Sequence, residues 1–159
     1  MSLAISGISR RSITVKESSS PSESKPIQLG PEVYEDFFSL SLGLLCIADL
    51  SGKFLAVNPE WTRVLGYTQE QLDGQYFLDL VHPDDKEATL TAMAVLSEGQ
   101  EVTGFENRFL AKDGGYRWIQ WRSKAKGDII FAAAKDITQI KSQLYDLERM
   151  SNFFQKTNE

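Results

Sequence analysis

The most constraining stretch of this chain is Lys112-Asp113-Gly114-Gly115 together with the alternating segments on either side of it. Upstream, Phe105, Asn107 and Phe109 share one strand face while Glu106 and Arg108 share the other. Downstream, Ile119, Trp121, Ser123 and Ala125 lie opposite Trp118, Gln120 and Arg122. Period-two patterning around an Asp-Gly turn predicts an antiparallel hairpin with one apolar face that something must cover. A further turn at Lys126-Gly127-Asp128 leads into a last strand, Ile129–Ile137. Its run Ala132-Ala133-Ala134 would leave space beside the sheet or let another backbone approach closely.

The preceding half predicts a second hairpin and a series of short helices. Leu44–Asp49 and Lys53–Val57 read as strands joined at Ser51-Gly52. Asn58 is expected to cap a helix with Pro59 at its first position, and Gly66 to close it. Thr68 and Gln71 have capping-box spacing. Asp84 is the expected cap of a longer helix to about Ser97, with Ala88, Ala92, Met93, Val95 and Leu96 on its buried stripe. Residues 1–30 read as a linker too poor in apolar surface to order itself, although Ile5–Val15 could pair as a strand. A short amphipathic helix is expected over Pro31–Leu42. From Thr138 the pattern turns helical. Ile137, Ile140, Leu144, Leu147, Ser151 and Phe154 step by three and four, the seam of a coiled coil.

Composition narrows the function classes. The formal charge of the 159 residues is −5, and no basic stripe offsets it, so nucleic-acid binding is not expected. One cysteine can form neither an internal disulfide nor a thiolate metal site. No apolar run reaches the roughly 20 residues that span a bilayer. The expectation is a soluble, cytoplasmic chain with no membrane segment here.

The element order is α+β with a five-stranded antiparallel sheet. From about Phe37 to Thr138 the chain resembles the PAS sensory-domain family with its C-terminal PAC portion. The resemblance is carried by Ala48-Asp49-Leu50-Ser51-Gly52, Val57-Asn58-Pro59, Leu65-Gly66-Tyr67 and His82-Pro83-Asp84-Asp85. It continues through Glu106-Asn107-Arg108, Lys112-Asp113-Gly114, Trp118-Ile119 and Asp136-Ile137-Thr138. It implies a PAS domain over 31–138, after the linker and before a C-terminal signalling helix over 139–159. It implies a regulatory module rather than an enzyme. A small-molecule cavity would lie between sheet and short helices, and a signal would leave through flanking helices. The effector implied outside this chain is a histidine kinase, with a diguanylate cyclase or phosphodiesterase as the alternative. A ligand-free dimerisation and relay module is the rival reading.

No cofactor is expected. Heme-binding relatives place their ligand on the long helix, and Asp84–Ser97 holds no histidine; His82, the only one, reads as a turn residue. Flavin-binding relatives use a reactive cysteine where Phe77 stands here. Their flavin-contacting amides fall at Phe109, Ile119 and Ala134, which offer no side-chain hydrogen bond. Cys46 reads as structural. An unidentified small molecule remains possible as a ligand. Face assignment puts Cys46, Ala48, Phe105, Asn107, Phe109, Ile119, Trp121, Ser123, Ala132 and Ala134 on the concave side, closed by Trp61, Phe77 and Met93. Asn107 and Ser123 stand out, because polar groups on an apolar face need partners when buried. Glu106 and Arg108 are expected to pair across strands. Asp136 and Thr138 mark a junction at which sheet strain would reach the exit helix. The expected partners are a second copy, through the N- and C-terminal helices, and an effector domain of the same polypeptide.

Overall fold

The computed structural model describes residues 27–157. Two units divide the chain, Met1–Phe37 and Phe38–Glu159. In the first, the described part is irregular backbone over 27–30 and the start of helix α1 (Pro31–Leu40). Most of the expected linker and the possible strand Ile5–Val15 lie outside the described residues.

The second unit runs β1 (Leu44–Asp49), β2 (Phe54–Val57), α2 (Glu60–Leu65), α3 (Gln69–Leu72), two 3-10 turns (Phe77–Leu80, Pro83–Asp85), α4 (Lys86–Ser97), β3 (Val102–Leu110), β4 (Tyr116–Lys126), β5 (Ile129–Asp136) and α5 (Thr138–Thr157). The five strands form one antiparallel sheet in the order β2-β1-β5-β4-β3. The alanine-rich last strand therefore sits at the centre, between the two hairpins, where its small side chains set the depth of the sheet's inner face.

Apolar alternation decides which face is covered. Leu44, Cys46 and Ala48 of β1 are buried, as are Asn107 and Phe109 of β3 and Ile119 and Ser123 of β4. Trp61 of α2 lies at the middle of the main core, with ring centroids 5.0 Å from Phe54, 6.0 Å from Phe109 and 6.0 Å from Trp121. Its indole nitrogen donates to the Leu45 carbonyl at 3.0 Å, so the polar atom is satisfied. Each such fully buried side chain contributes about 1.5–3 kcal/mol.

Three local expectations are corrected. Asn58 does not cap α2: its side chain turns inward and is completely buried. There its Oδ1 accepts from the Leu45 backbone N–H at 2.9 Å, and its Nδ2 donates to the carbonyls of Phe38 and Gly43 at 3.2 and 2.9 Å. Orphaned backbone groups before and at the first strand compete better for this amide than a helix start that Pro59 has already shortened by one N–H. Asp84 does not cap α4 either. The backbone N–H of Asp84 donates to His82 Nδ1 at 3.1 Å, so the histidine closes this turn. On α4 the buried positions are Thr89 and Leu96, with Ala92 and Met93 half-buried, whereas Ala88 is exposed. Ala92, Met93, Val95 and Leu96 face inward as expected; only Ala88 departs from the stripe, its place taken by Thr89, which has a hydrogen-bond partner inside.

Candidate functional site

Register across the sheet explains a hollow above its centre. Val102, Ser123, Ala132 and Cys46 are successive partners across four strands. One row is Phe105, Trp121, Ala134 and Leu44, and on the other side is Ala125, Ile130, Ala48 and Phe54. The middle row carries short side chains between two rows with bulky members, so the floor dips there. Phe77 and, on α4, Thr89, Ala92, Met93 and Leu96 form the roof. The resulting cavity has a volume of about 60 Å³. Gly52 lets the roof descend: its φ is 88°, and a Cβ there would lie 3.2 Å from the Met93 methyl and from the Phe77 ring.

The polar atoms of the cavity belong to a chain of hydrogen bonds. Trp121 Nε1 donates to Asn107 Oδ1 at 2.7 Å, and Asn107 Nδ2 donates to Thr89 Oγ1 at 3.1 Å. Thr89 Oγ1 donates in turn to the Asp85 carbonyl at 2.8 Å. The Asp85 carboxylate then accepts from Arg108 three times, from the backbone N–H at 2.8 Å, Nε at 2.9 Å and Nη2 at 2.8 Å. Hydrogen bonds from the Arg108 side chain hold the Asp85 carboxyl below its usual pKa, against the opposing effect of burial. Arg108 therefore pairs with the start of α4, and not across the strands as alternation suggested. Glu106, the other member of that face, pairs with Lys141 of α5 at 3.2 Å.

On the outer face these contacts converge on Trp118. The Arg108 guanidinium lies 4.9 Å from its ring centroid, and Lys141 Nζ lies 4.3 Å from it. The Trp118 backbone is held by the start of α5, its N–H donating to Thr138 Oγ1 at 2.9 Å and its carbonyl accepting from Ile137 N at 2.8 Å. Asp136 Oδ1 accepts from the Thr138 backbone N–H at 2.9 Å and from its hydroxyl at 2.5 Å. Asp136 and Thr138 thus cap the exit helix and fasten it to β4 in one motif.

Of the residues proposed for the hollow, Cys46, Ala48, Phe77, Met93, Phe105, Asn107, Phe109, Trp121, Ser123 and Ala132 line it. Trp61, Ile119 and Ala134 do not; they are buried in the main core cluster. Phe54, Thr89, Ala92, Leu96, Val102 and Ile130 line the cavity without having been anticipated. Spacing could have found the α4 members, because 89, 92, 93 and 96 repeat at helical intervals on one face. Burial pushes the Cys46 thiol up to about 12, so it stays neutral. Among the described residues no cluster of three or more His, Cys, Asp or Glu could hold a metal ion. No described helix is long and apolar enough to cross a membrane.

Comparisons with known proteins agree with this geometry. The family model described as the PAS fold matches residues 54–128. Hypoxia-inducible factor 1-alpha of Gallus gallus is 35% identical over 72 residues, 45% of this chain and 9% of that protein, so this chain spans less than a tenth of its length. A PAS domain structure from Colwellia psychrerythraea is 27% identical, covers 68% of this chain and 97% of its own, and superposes with a TM-score of 0.59. A domain of a sensory box sensor histidine kinase/response regulator from Geobacter sulfurreducens shares the fold at 20% identity and a TM-score of 0.59, covering 66% of this chain and 92% of its own. With its sheet order and short helices, the chain has the PAS fold, and residues 54–128, just under half of the chain, match that family's model.

Proposed function

We propose that this PAS domain is the cytoplasmic input module of a multidomain signalling protein. The effector we favour is a histidine kinase, addressed through α5. The observation that carries this reading is the unbroken series of contacts from the hollow to the exit helix. Asn107 in the hollow and Arg108 on the outer face are adjacent on β3, and both are tied to Asp85–Thr89 at the start of α4. Arg108 and Lys141 share the Trp118 ring, whose backbone holds Thr138. A change of occupancy that moves Thr89 or Asn107 changes the geometry available to Arg108, and through Trp118 the seating of α5. The shift can be no larger than the differential affinity of the signal for the two arrangements.

The exposed apolar positions Ile140, Leu144, Leu147 and Phe154 on α5 support dimerisation through that helix, the usual means by which such a seam is covered. The small volume of the hollow favours a second reading, a relay moved by a partner instead of a ligand.

Amide hydrogen exchange of the Arg108→Gln variant tests the relay. Faster exchange in the first two turns of α5, with β1 and β5 still protected, is the expected outcome. Unchanged protection of α5 would remove Arg108 and Trp118 from the mechanism.

A further inference from the structure

The outer face of the sheet carries a pattern that the hollow does not explain. Register aligns Leu45 with Ala133 and Arg122 across β1, β5 and β4, and Ile47 with Phe131 and Lys124 in the next row. Ile129 and Lys126 continue the series in a third row, whose β1 member, Asp49, spends its carboxylate on its own turn at Ser51 and Lys53. Side chains two apart on a strand point the same way, so this face is an apolar strip two strands wide with a file of cations along one side. The net charge of −5 conceals that local concentration.

The first two rows line a groove of about 360 Å³, together with Phe38 and Glu101. Arg63, Arg108, Arg117 and Lys141 each pair with a carboxylate. Arg122 and Lys124 are exposed and pair with none among the described residues, Glu101 included. Phe131, in the middle of the strip, is 38% exposed.

Three constraints select the occupant. Each of β1, β5 and β4 has a strand on both sides, so no sheet edge opens here for an added strand, and contact must be made by side chains. Successive rows are about 6.6–6.8 Å apart along the strands, close to the roughly 6 Å between residues i and i+4 of a helix. Apolar side chains at that spacing meet Leu45–Ala133 and Ile47–Phe131 in turn. The cations stand on one side only, which calls for carboxylates on one flank of the helix. A polyanion such as nucleic acid would engage the cations and leave the apolar strands uncovered.

We infer that this groove docks an amphipathic helix of a partner protein, seated by apolar residues at i and i+4, with Asp or Glu on the flank facing Arg122 and Lys124. The inference rests on the reading of the domain as a relay moved by a partner, and it specifies that partner's chemistry. The next row of this face, Gln120 and Lys135, borders the cleft beside α5, so the docked helix lies one row from the exit helix.

The probe is a synthetic helix of about four turns with leucine on one stripe and glutamate on the adjoining flank; its counterpart carries lysine in place of glutamate. In amide spectra of the full chain, the glutamate peptide should cause saturable shifts at Ile47, Lys124 and Phe131, with affinity falling as salt rises. The double variant Arg122→Gln/Lys124→Gln should weaken binding about tenfold, and Phe131→Gln by a similar factor. All three side chains are exposed, so the fold should survive their replacement. The proposal is wrong if the glutamate peptide does not saturate, or if the lysine peptide binds as tightly. It is also wrong if heparin or phosphatidylserine vesicles take the groove with an affinity that Phe131→Gln leaves unchanged, which makes the face a plain anion surface. Shifts at the groove that grow with protein concentration alone and vanish in Phe131→Gln would make the occupant a second copy and overturn it too. The α5 amide signals separate this failure from that of the relay. Peptide bound in the groove with unmoved α5 signals refutes the partner-driven relay and leaves the docking site standing. Absent binding, with α5 still responding to Arg108→Gln, refutes the docking site alone.

Discussion

Replacing Asp85 by Asn should be among the most destabilising polar substitutions in this domain, and its cost can be worked from the geometry. The carboxylate takes three donors from Arg108, all between 2.8 and 2.9 Å. An amide oxygen can retain one of them, but the charge is lost, and the amide nitrogen is brought against a guanidinium that has nothing to accept. Breaking a buried ion pair by removing one partner costs about 3–5 kcal/mol. The Arg108 side chain is 26% exposed and that of Asp85 15%, so the arginine can recover some hydration, which points to the lower end, about 3 kcal/mol. At a few degrees per kcal/mol, Tm should fall by roughly 10 °C. Urea denaturation of Asp85→Asn, Arg108→Gln and the double variant should give a coupling energy of about 1–3 kcal/mol. The pH dependence has a definite sign. Because the folded carboxyl lies below its unfolded value of about 3.9, the contribution is complete above that pH and disappears as pH falls through the folded value. Asp85→Asn should therefore lose less stability than the parent on acidification below about pH 4. Single variants within about 0.5 kcal/mol of the parent, or additive losses in the double variant, would refute the account.

Asn58→Ala removes three hydrogen bonds to backbone groups before and at β1 and leaves a fully buried gap; a loss of about 2–4 kcal/mol in chemical denaturation is expected. Gly52→Ala should cost about 1–2 kcal/mol, because φ is 88° and the added methyl presses on Met93 and Phe77; a calorimetric scan reads it directly. With its pKa at about 12, the Cys46 thiol should react with a disulfide reagent at neutral pH only as fast as the domain opens, so the labelling rate should rise in Asp85→Asn.

Strand positions were legible in the sequence because alternation and turn chemistry agree. Asp113-Gly114 flanked by period-two runs leaves few other folds for residues 102–126, and the capping box at Thr68 and Gln71 forms as its spacing predicts. Inner-face assignment on β3 and β4 followed from the same periodicity. Long-range partners of polar side chains were not legible. Asn58 has the local credentials of a cap, and only its contacts with Phe38, Gly43 and Leu45 reveal the competing use. Asp85 and Arg108 are 23 residues apart, and neither neighbourhood hints at the other. The stripe on α4 was right except at Ala88, which was favoured over Thr89, whose hydroxyl is satisfied by the Asp85 carbonyl and by Asn107. A polar residue with internal partners resembles a surface residue until the opposing wall is known.

The central place of β5 has a consequence for how the domain is assembled. The β1–β2 and β3–β4 hairpins share no ladder with each other, and the strand that joins them is the last to be synthesised. Each hairpin can form locally, but closure must wait for a segment some 80 residues downstream of β1, a slow, non-local event. Thr138 begins α5 only two residues after that closing strand ends. A torque applied to the helix is thus delivered to the one strand whose displacement would part the sheet into its two halves.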